Sequence, residues 1–259
     1  MHTKEEKLAA FAEALEIMET LRAKCPWNAA QTTESLRPMT VEEVYELSDA
    51  VLRGDDKDLR KELGDVLLHI IFYARIAEEE GRWDIADVIH GLCEKMRFRH
   101  PHVFGSAHED SPESVLVSWD KLKRQEKGQA TVTDTLNSVA RSLPGLWRAE
   151  KIQNKAAKAG FDWPDINGAL DKLDEETGEL RRAVENGEGV AEELGDVLFA
   201  TVKAARFAGV DPEEAIAATC EKFIRRFRAV EEGAARQGRS LDQLSLDEMT
   251  ALWDGAKGS

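Results

Sequence analysis

Residues 62–76 read ELGDVLLHIIFYARI. Glu62, Asp65, His69, Phe72 and Ile76 stand three or four positions apart, so one face of a helix carries all five. His69, Phe72 and Ile76 suit a core. Two carboxylates heading the same stripe do not, because turning like charges inward without a cation is costly. The stripe therefore predicts both a buried helix and a site for a positive ion.

The same reading extends in both directions. Leu8, Phe11, Leu15, Met18 and Leu21 form another helical stripe, and no run of period-two alternation interrupts the pattern. The predicted fold is all-α. Helix boundaries are marked by their own chemistry. Thr40-Val-Glu-Glu43 has the form of a capping box, and Gly54 ends a helix that Asp55 or Asp56 restarts. Ser111-Pro112 and Asp211-Pro212 each put a capping side chain before a first-turn proline, and Ser245-Leu-Asp-Glu248 opens the last helix.

The chain also repeats itself. Glu42-Glu43-x-x-Glu46 returns as Glu175-Glu176-x-x-Glu179 at an offset of 133, and Glu62-Leu-Gly-Asp65 as Glu193-Leu-Gly-Asp196 at an offset of 131. Cys93-Glu-Lys95 returns as Cys220-Glu-Lys222, and Trp119-Asp-x-x-Lys123 as Trp253-Asp-x-x-Lys257. Four matches in one order predict two tandem copies of a helical unit, at 1–127 and 138–259, joined by a polar segment at 128–137.

Within each copy, Glu43 with Glu46 and Glu62 with Asp65 share helix faces, as do Glu176 with Glu179 and Glu193 with Asp196. A short turn between the two helices brings the pairs together. Four converging carboxylates suit a hard divalent cation, Mg²⁺ or Mn²⁺. A di-iron centre would carry Glu-x-x-His on two helices, but the counterpart of His69 is Ala200. The scattered cysteines and histidines argue against zinc, and His100-Pro-His102 reads as a loop feature. No GxxxxGK[ST] or GxGxxG occurs.

Composition limits the partners. With 35 Lys and Arg against 50 Asp and Glu, the net charge is -15, which disfavours nucleic-acid polymers and anionic membrane surfaces. Ten motif acids account for two-thirds of that charge. The longest apolar run, Val66 to Ala74, is too short to span a bilayer. Three cysteines without a CxxC pair suit a reduced, cytoplasmic setting, and Cys93 and Cys220 are expected to be small buried apolar residues.

The layout EExxE then ExxD, with Cys25-Pro26-Trp27 before it and KxxxRHPHVF (Lys95 to Phe104) after it, resembles the MazG-type nucleoside triphosphate pyrophosphohydrolases. The second copy adds GFDW (Gly160 to Trp163) and KFIRRF (Lys222 to Phe227). The resemblance covers nearly the whole chain. It implies a bundle of about four helices per copy, a homodimer, and Mg²⁺-dependent cleavage of nucleoside triphosphates to monophosphate and pyrophosphate.

Carried onto this sequence, the family's metal ligands fall on Glu176, Glu179, Glu193 and Asp196, with Glu43, Glu46, Glu62 and Asp65 as first-copy counterparts. Phosphate contacts fall on Lys172, Lys222, Arg225 and Arg226. Trp253 matches a position associated with the nucleotide, where it either stacks on the base or packs against its own helix neighbours. Glu175 or Glu192 is placed to take a proton from an attacking water. The first copy departs from this set, with Met39 in place of Lys172 and Phe98 in place of Arg225. Gly189 stands where some relatives carry a lysine, and Asn28 where an aspartate is common. The second copy is therefore expected to do most of the chemistry. A nucleotide-binding regulator with decayed catalysis is the alternative, and the intact second-copy acids argue against it.

Overall fold

The computed structural model describes residues 1–258, and among these all regular structure is helical. The expected end of the second copy, Ser259, lies outside the described residues. The chain divides into two compact units, with the break between Lys123 and Arg124.

The first unit contains α1 (Lys4–Lys24), α2 (Pro26–Ala29), α3 (Thr33–Arg53), α4 (Asp56–Glu79), α5 (Ile85–Arg99), α6 (Pro101–Phe104) and most of α7 (Pro112–Glu126). Its centre is the α3–α4 hairpin. Gly54 closes α3 at φ 65°, a left-handed conformation that costs glycine little, and its N–H reaches back to Ala50 and Val51. One residue later, Asp55 caps α4 by accepting from the amides of Lys57 and Asp58. That two-residue link forces the helices antiparallel. The core is Met18, Leu36, Ile71, Phe72 and Ile76, with Phe11, Leu15, Met39 and Tyr73 packed around it. Leu8, the first residue of the predicted α1 stripe, is exposed.

The second unit contains α8 (Val132–Asn137), α9 (Gly145–Lys158), α10 (Ile166–Asn186), α11 (Val190–Phe207), α12 (Pro212–Arg236) and α13 (Leu246–Gly255), with a 3₁₀ turn at Leu241–Gln243. The α10–α11 hairpin is its centre, turned at Gly187 (φ 75°). Asp211 caps α12 through the amides of Glu213 and Glu214 and also accepts from the Trp147 indole, at 3.1 and 3.0 Å, which ties α9 to the α12 entrance. The buried apolar residues here are mostly small: Ala169, Ala183, Ala200, Val202, Val230 and Ala234.

Ser111, Asp211 and Ser245 cap their helices as the sequence predicts. Thr40 does not. The helix begins at Thr33, and the capping box is made by Thr32 and Ser35. Burial of Leu36 carries the helix through Pro38, leaving Thr40 mid-helix, 2.8 Å from both His69 Nδ1 and the Tyr73 hydroxyl. The cysteines are a second correction. Cys93 is half-buried and Cys220 exposed, because the helix faces that carry them are uncovered. On α12 Cys220 lies among exposed Ile216, Phe223, Ile224 and Phe227; on α5 exposed Val88, Ile89 and Leu92 precede Cys93.

Candidate active site

Each hairpin brings its acidic pairs together. In the second unit, carboxylate oxygens of Glu176 (α10) and of Glu193 and Asp196 (α11) all lie within 4.8 Å of one another. Glu176 is buried, Glu193 half-buried and Asp196 exposed. Burial, reinforced by the charges of Glu179, Asp196, Glu176 and Glu192, raises the Glu193 carboxyl above its ordinary value. Glu179 stands half-buried at the edge of this group, held by Arg182 at 3.2 Å.

Lys172, one turn ahead on α10, reaches Glu176 at 2.8 Å and Glu175 at 3.0 Å, and hydrogen bonding to Glu176 and then Glu175 raises its pKa. Glu175 and Glu192 are exposed beside the buried acids. The remaining residues of the expected phosphate clamp, Lys222, Arg225 and Arg226, are all on α12, and Trp253 is on α13. Lys222 and Arg225 are exposed. The Arg226 guanidinium lies 5.8 Å from the Trp253 ring centroid, and Phe223 is 4.9 Å from the same ring. The Trp253 ring thus packs against its neighbours on α12. The first unit repeats this arrangement, with Arg99 5.3 Å from the Trp119 centroid.

In the first unit, oxygens of Glu43, Glu46 and Glu62 meet within 4.8 Å. Burial, followed by the charges of Asp65 and Glu46, raises the Glu43 carboxyl, while His69 pulls it the other way. A cation is already in place here, but on the opposite helix from Lys172. Lys61 bonds Glu62 at 2.8 Å and Asp65 at 3.4 Å. Its counterpart at the 131 offset is Glu192. Lys61 is not among the expected site residues, although a lysine directly before ExxD was the visible signal. Glu62 Oε2 is buried with no hydrogen-bond partner, as a carboxylate waiting for a cation would be. Both clusters therefore fit a metal ion through an all-oxygen donor set.

The larger difference between the units is space. Beside the second acidic cluster lies a cavity of about 360 Å³, within the range of small-molecule sites. Glu176, Asp196 and Lys172 line it, together with Phe161, Trp163 and Phe199. Four more facts explain why it is open. Lining residues Ala169, Lys172, Ala200 and Lys203 match Leu36, Met39, His69 and Phe72 of the first unit at the repeat offsets. In the first unit Leu36 and Phe72 are buried core, with Met39 packed on them, and His69 is buried. The same hairpin is plugged in one unit and hollow in the other.

The GFDW segment forms one wall. Lys203 Nζ bonds Asp162 at 2.9 Å and lies 5.0 Å from the Trp163 centroid, and Arg206 also pairs with Asp162. Those two cations hold the Asp162 carboxyl below its usual range against the opposing effect of burial.

The chain is similar to known proteins of one family. The family described as MazG nucleotide pyrophosphohydrolase domain matches residues 31–104 and 167–230, which are the two hairpins and the helix after each. The nucleoside triphosphate pyrophosphohydrolase of Escherichia coli (strain K12) is 42% identical over 250 residues, 94% of this chain and 95% of that protein. The nucleoside triphosphate pyrophosphohydrolase/pyrophosphatase MazG of Thermotoga maritima is 42% identical over 96% of each chain. A solved mazG-related protein from Thermotoga maritima aligns with 44% of this chain and 98% of its own, at 29% identity and a TM-score of 0.39. Two domain matches, and relatives alike over nearly their whole length, place the chain in the MazG nucleotide pyrophosphohydrolase family.

Proposed function

We propose that this protein hydrolyses nucleoside triphosphates to nucleoside monophosphate and pyrophosphate, and that the second unit does most of the work. The observation that carries this reading is the meeting of Glu176, Glu193 and Asp196 within 4.8 Å, with Glu176 and Asp196 also lining an open cavity. Family membership and the names of the full-length relatives point the same way.

Glu176, Glu179, Glu193 and Asp196 would hold Mg²⁺, with Mn²⁺ as a substitute, and such an ion would supply charge neutralisation and polarisation at the phosphates. Glu175 or Glu192 accepts the proton of the attacking water as the bond between the α- and β-phosphates breaks. Lys172, Lys222, Arg225 and Arg226 receive the leaving pyrophosphate, where charge-assisted bonds are strongest. Glu43, Glu46, Glu62 and Asp65 form an equivalent ion site in the first unit, where Leu36, His69 and Phe72 are buried in place of the small and polar lining of the second.

The protein acts as a homodimer in the cytoplasm and takes free nucleotides rather than nucleic-acid polymers. Support for self-association comes from the uncovered apolar residues of α5 and α12, which recur in both units. No helix among the described residues is long and apolar enough to cross a membrane. The decisive experiment measures pyrophosphate release across a panel of nucleoside triphosphates with Mg²⁺, with EDTA, and in Asp196→Asn. Metal-dependent release that falls by orders of magnitude in a folded Asp196→Asn protein supports the assignment; release unaffected by EDTA or by the substitution refutes it. Light scattering tests the dimer, with twice 28.9 kDa expected.

A further inference from the structure

The cavity is lined by a polar side chain that the proposed chemistry does not use and whose oxygen has no partner. Gln153 on α9 lines it and is 2% exposed. Its Nε2 donates to the Phe199 carbonyl at 2.8 Å, which settles the orientation of the amide. Oε1 is then fixed as an acceptor, and it is buried with no hydrogen-bond partner. An unmade bond at a buried acceptor is costly, so such an atom on a side chain that lines a cavity marks a place for a donor. Around it the lining is apolar and aromatic, with Ile152, Phe161, Trp163 and Phe199. Glu176, Asp196 and Lys172 line the same space. A ligand there presents phosphates to one set of residues and a flat ring to the other.

We propose that Gln153 is a specificity-determining residue of the second unit, its Oε1 accepting a hydrogen bond from an N–H on the edge of the nucleobase. The inference rests on the pyrophosphohydrolase reading and adds the base site to it. Trp163, Phe161 and Phe199 supply ring faces, and stacking on them tolerates any base. A single acceptor demands an N–H, which every standard base offers. The site therefore accepts the standard bases broadly and rejects one whose donor has been replaced by an alkyl group. The first unit has no such site, since Phe72 and Leu36 occupy the matching positions in its core.

Uracil allows a clean test, because its ring N3–H is the only N–H it has in a nucleotide. Cleavage of uridine triphosphate and of its N3-methyl derivative is compared in the unaltered full-length protein and in Gln153→Met, which keeps the volume and removes the acceptor. The unaltered protein should disfavour the methylated substrate by about tenfold or more in kcat/KM, through KM, with kcat changed by less than about twofold. In Gln153→Met the two substrates should become equivalent. Equal use of both by the unaltered protein overturns the proposal without any substitution, so misfolding of the variant cannot hide a failure. Discrimination that persists in a folded Gln153→Met protein overturns it as well. Absence of cleavage of every nucleoside triphosphate defeats the pyrophosphohydrolase reading and this inference together, whereas cleavage without discrimination defeats the base site alone.

Discussion

Gly168 lies directly beneath the indole of Trp163. A Cβ at position 168 would stand 2.0 Å from Trp163 Cδ1 and 2.7 Å from Cγ, so the ring wall of the cavity sits where only a glycine leaves room. The atoms in conflict are near the root of the side chain, and the whole ring must move. Gly168→Ala should therefore raise KM for nucleoside triphosphates by about tenfold while kcat changes far less. The substitution favours the helix by about 0.5–1 kcal/mol in backbone terms, so a well-folded variant by circular dichroism is expected. Unchanged KM in that variant would remove Trp163 from the binding site.

The two units should prove unequal. Glu62→Gln with Asp65→Asn is expected to leave most pyrophosphate release intact, and Glu193→Gln with Asp196→Asn to abolish nearly all of it. The hollow in the second unit supplies the physical reason, since Ala169 and Ala200 stand where the first unit has Leu36 and His69. Filling that hollow tests the same idea. Ala169→Leu copies the first unit and should weaken substrate binding with the acidic cluster untouched. The reverse pattern in the paired variants would reassign the chemistry to the first unit.

Metal-free protein should be held back by its own acids. Burial and neighbouring carboxylates raise the Glu193 pKa in the folded state. A carboxyl raised on folding adds stability only below its unfolded pKa, and that contribution is lost as pH rises through the folded value. Glu193→Gln removes the charge, so at neutral pH with EDTA its Tm should exceed that of the unaltered protein by a few degrees. Mg²⁺ should then raise the Tm of the unaltered protein by more than that of the variant, which keeps only the first-unit cluster intact. Thermal scans with and without Mg²⁺ decide the matter, and a variant that melts lower under EDTA contradicts it.

Near the C-terminus the sign is opposite. Hydrogen bonding from Arg239 holds the Glu248 carboxyl down to about 2, helped by the backbone amide of Ser245. A depressed carboxyl contributes stability above the ordinary carboxylate range, and the contribution disappears as pH falls toward the folded value. NMR titration should place the Glu248 midpoint near 2. Arg239→Gln should return it to the usual range near 4.3. A midpoint unaffected by that substitution would show that the Ser245 cap alone suffices.

Much of this protein is decided locally and is therefore legible in the residues. Helical spacing of apolar side chains, Gly54 at a left-handed turn, Asp211 and Ser245 at helix entrances, and acids at intervals of three all act within a few positions of the chain. The repeat made the pairing of Glu176 with Glu193 and Asp196 predictable, because a short turn leaves two adjacent helices one way to lie. Thr40 shows the limit of local rules. It meets the spacing of a capping box, yet burial of Leu36 and its contacts with His69 and Tyr73 keep it inside a helix.

Where space remains was settled by packing between distant parts of the chain. Whether Ala169 and Lys203 line a cavity, and whether Gln153 beside it keeps a buried oxygen without a partner, depends on atoms brought together from α9, α10 and α11 and from the Gly160–Trp163 wall. Packing also left Cys220 exposed on an uncovered face of α12. It also brought together Glu43, Glu46 and Glu62 in one unit but Glu176, Glu193 and Asp196 in the other. Helical spacing and the repeated motifs already specify an all-α, twofold-repeated chain with two acidic clusters. Volume, a sum over residues far apart in the chain, decided that the second cluster has a cavity of about 360 Å³ beside it.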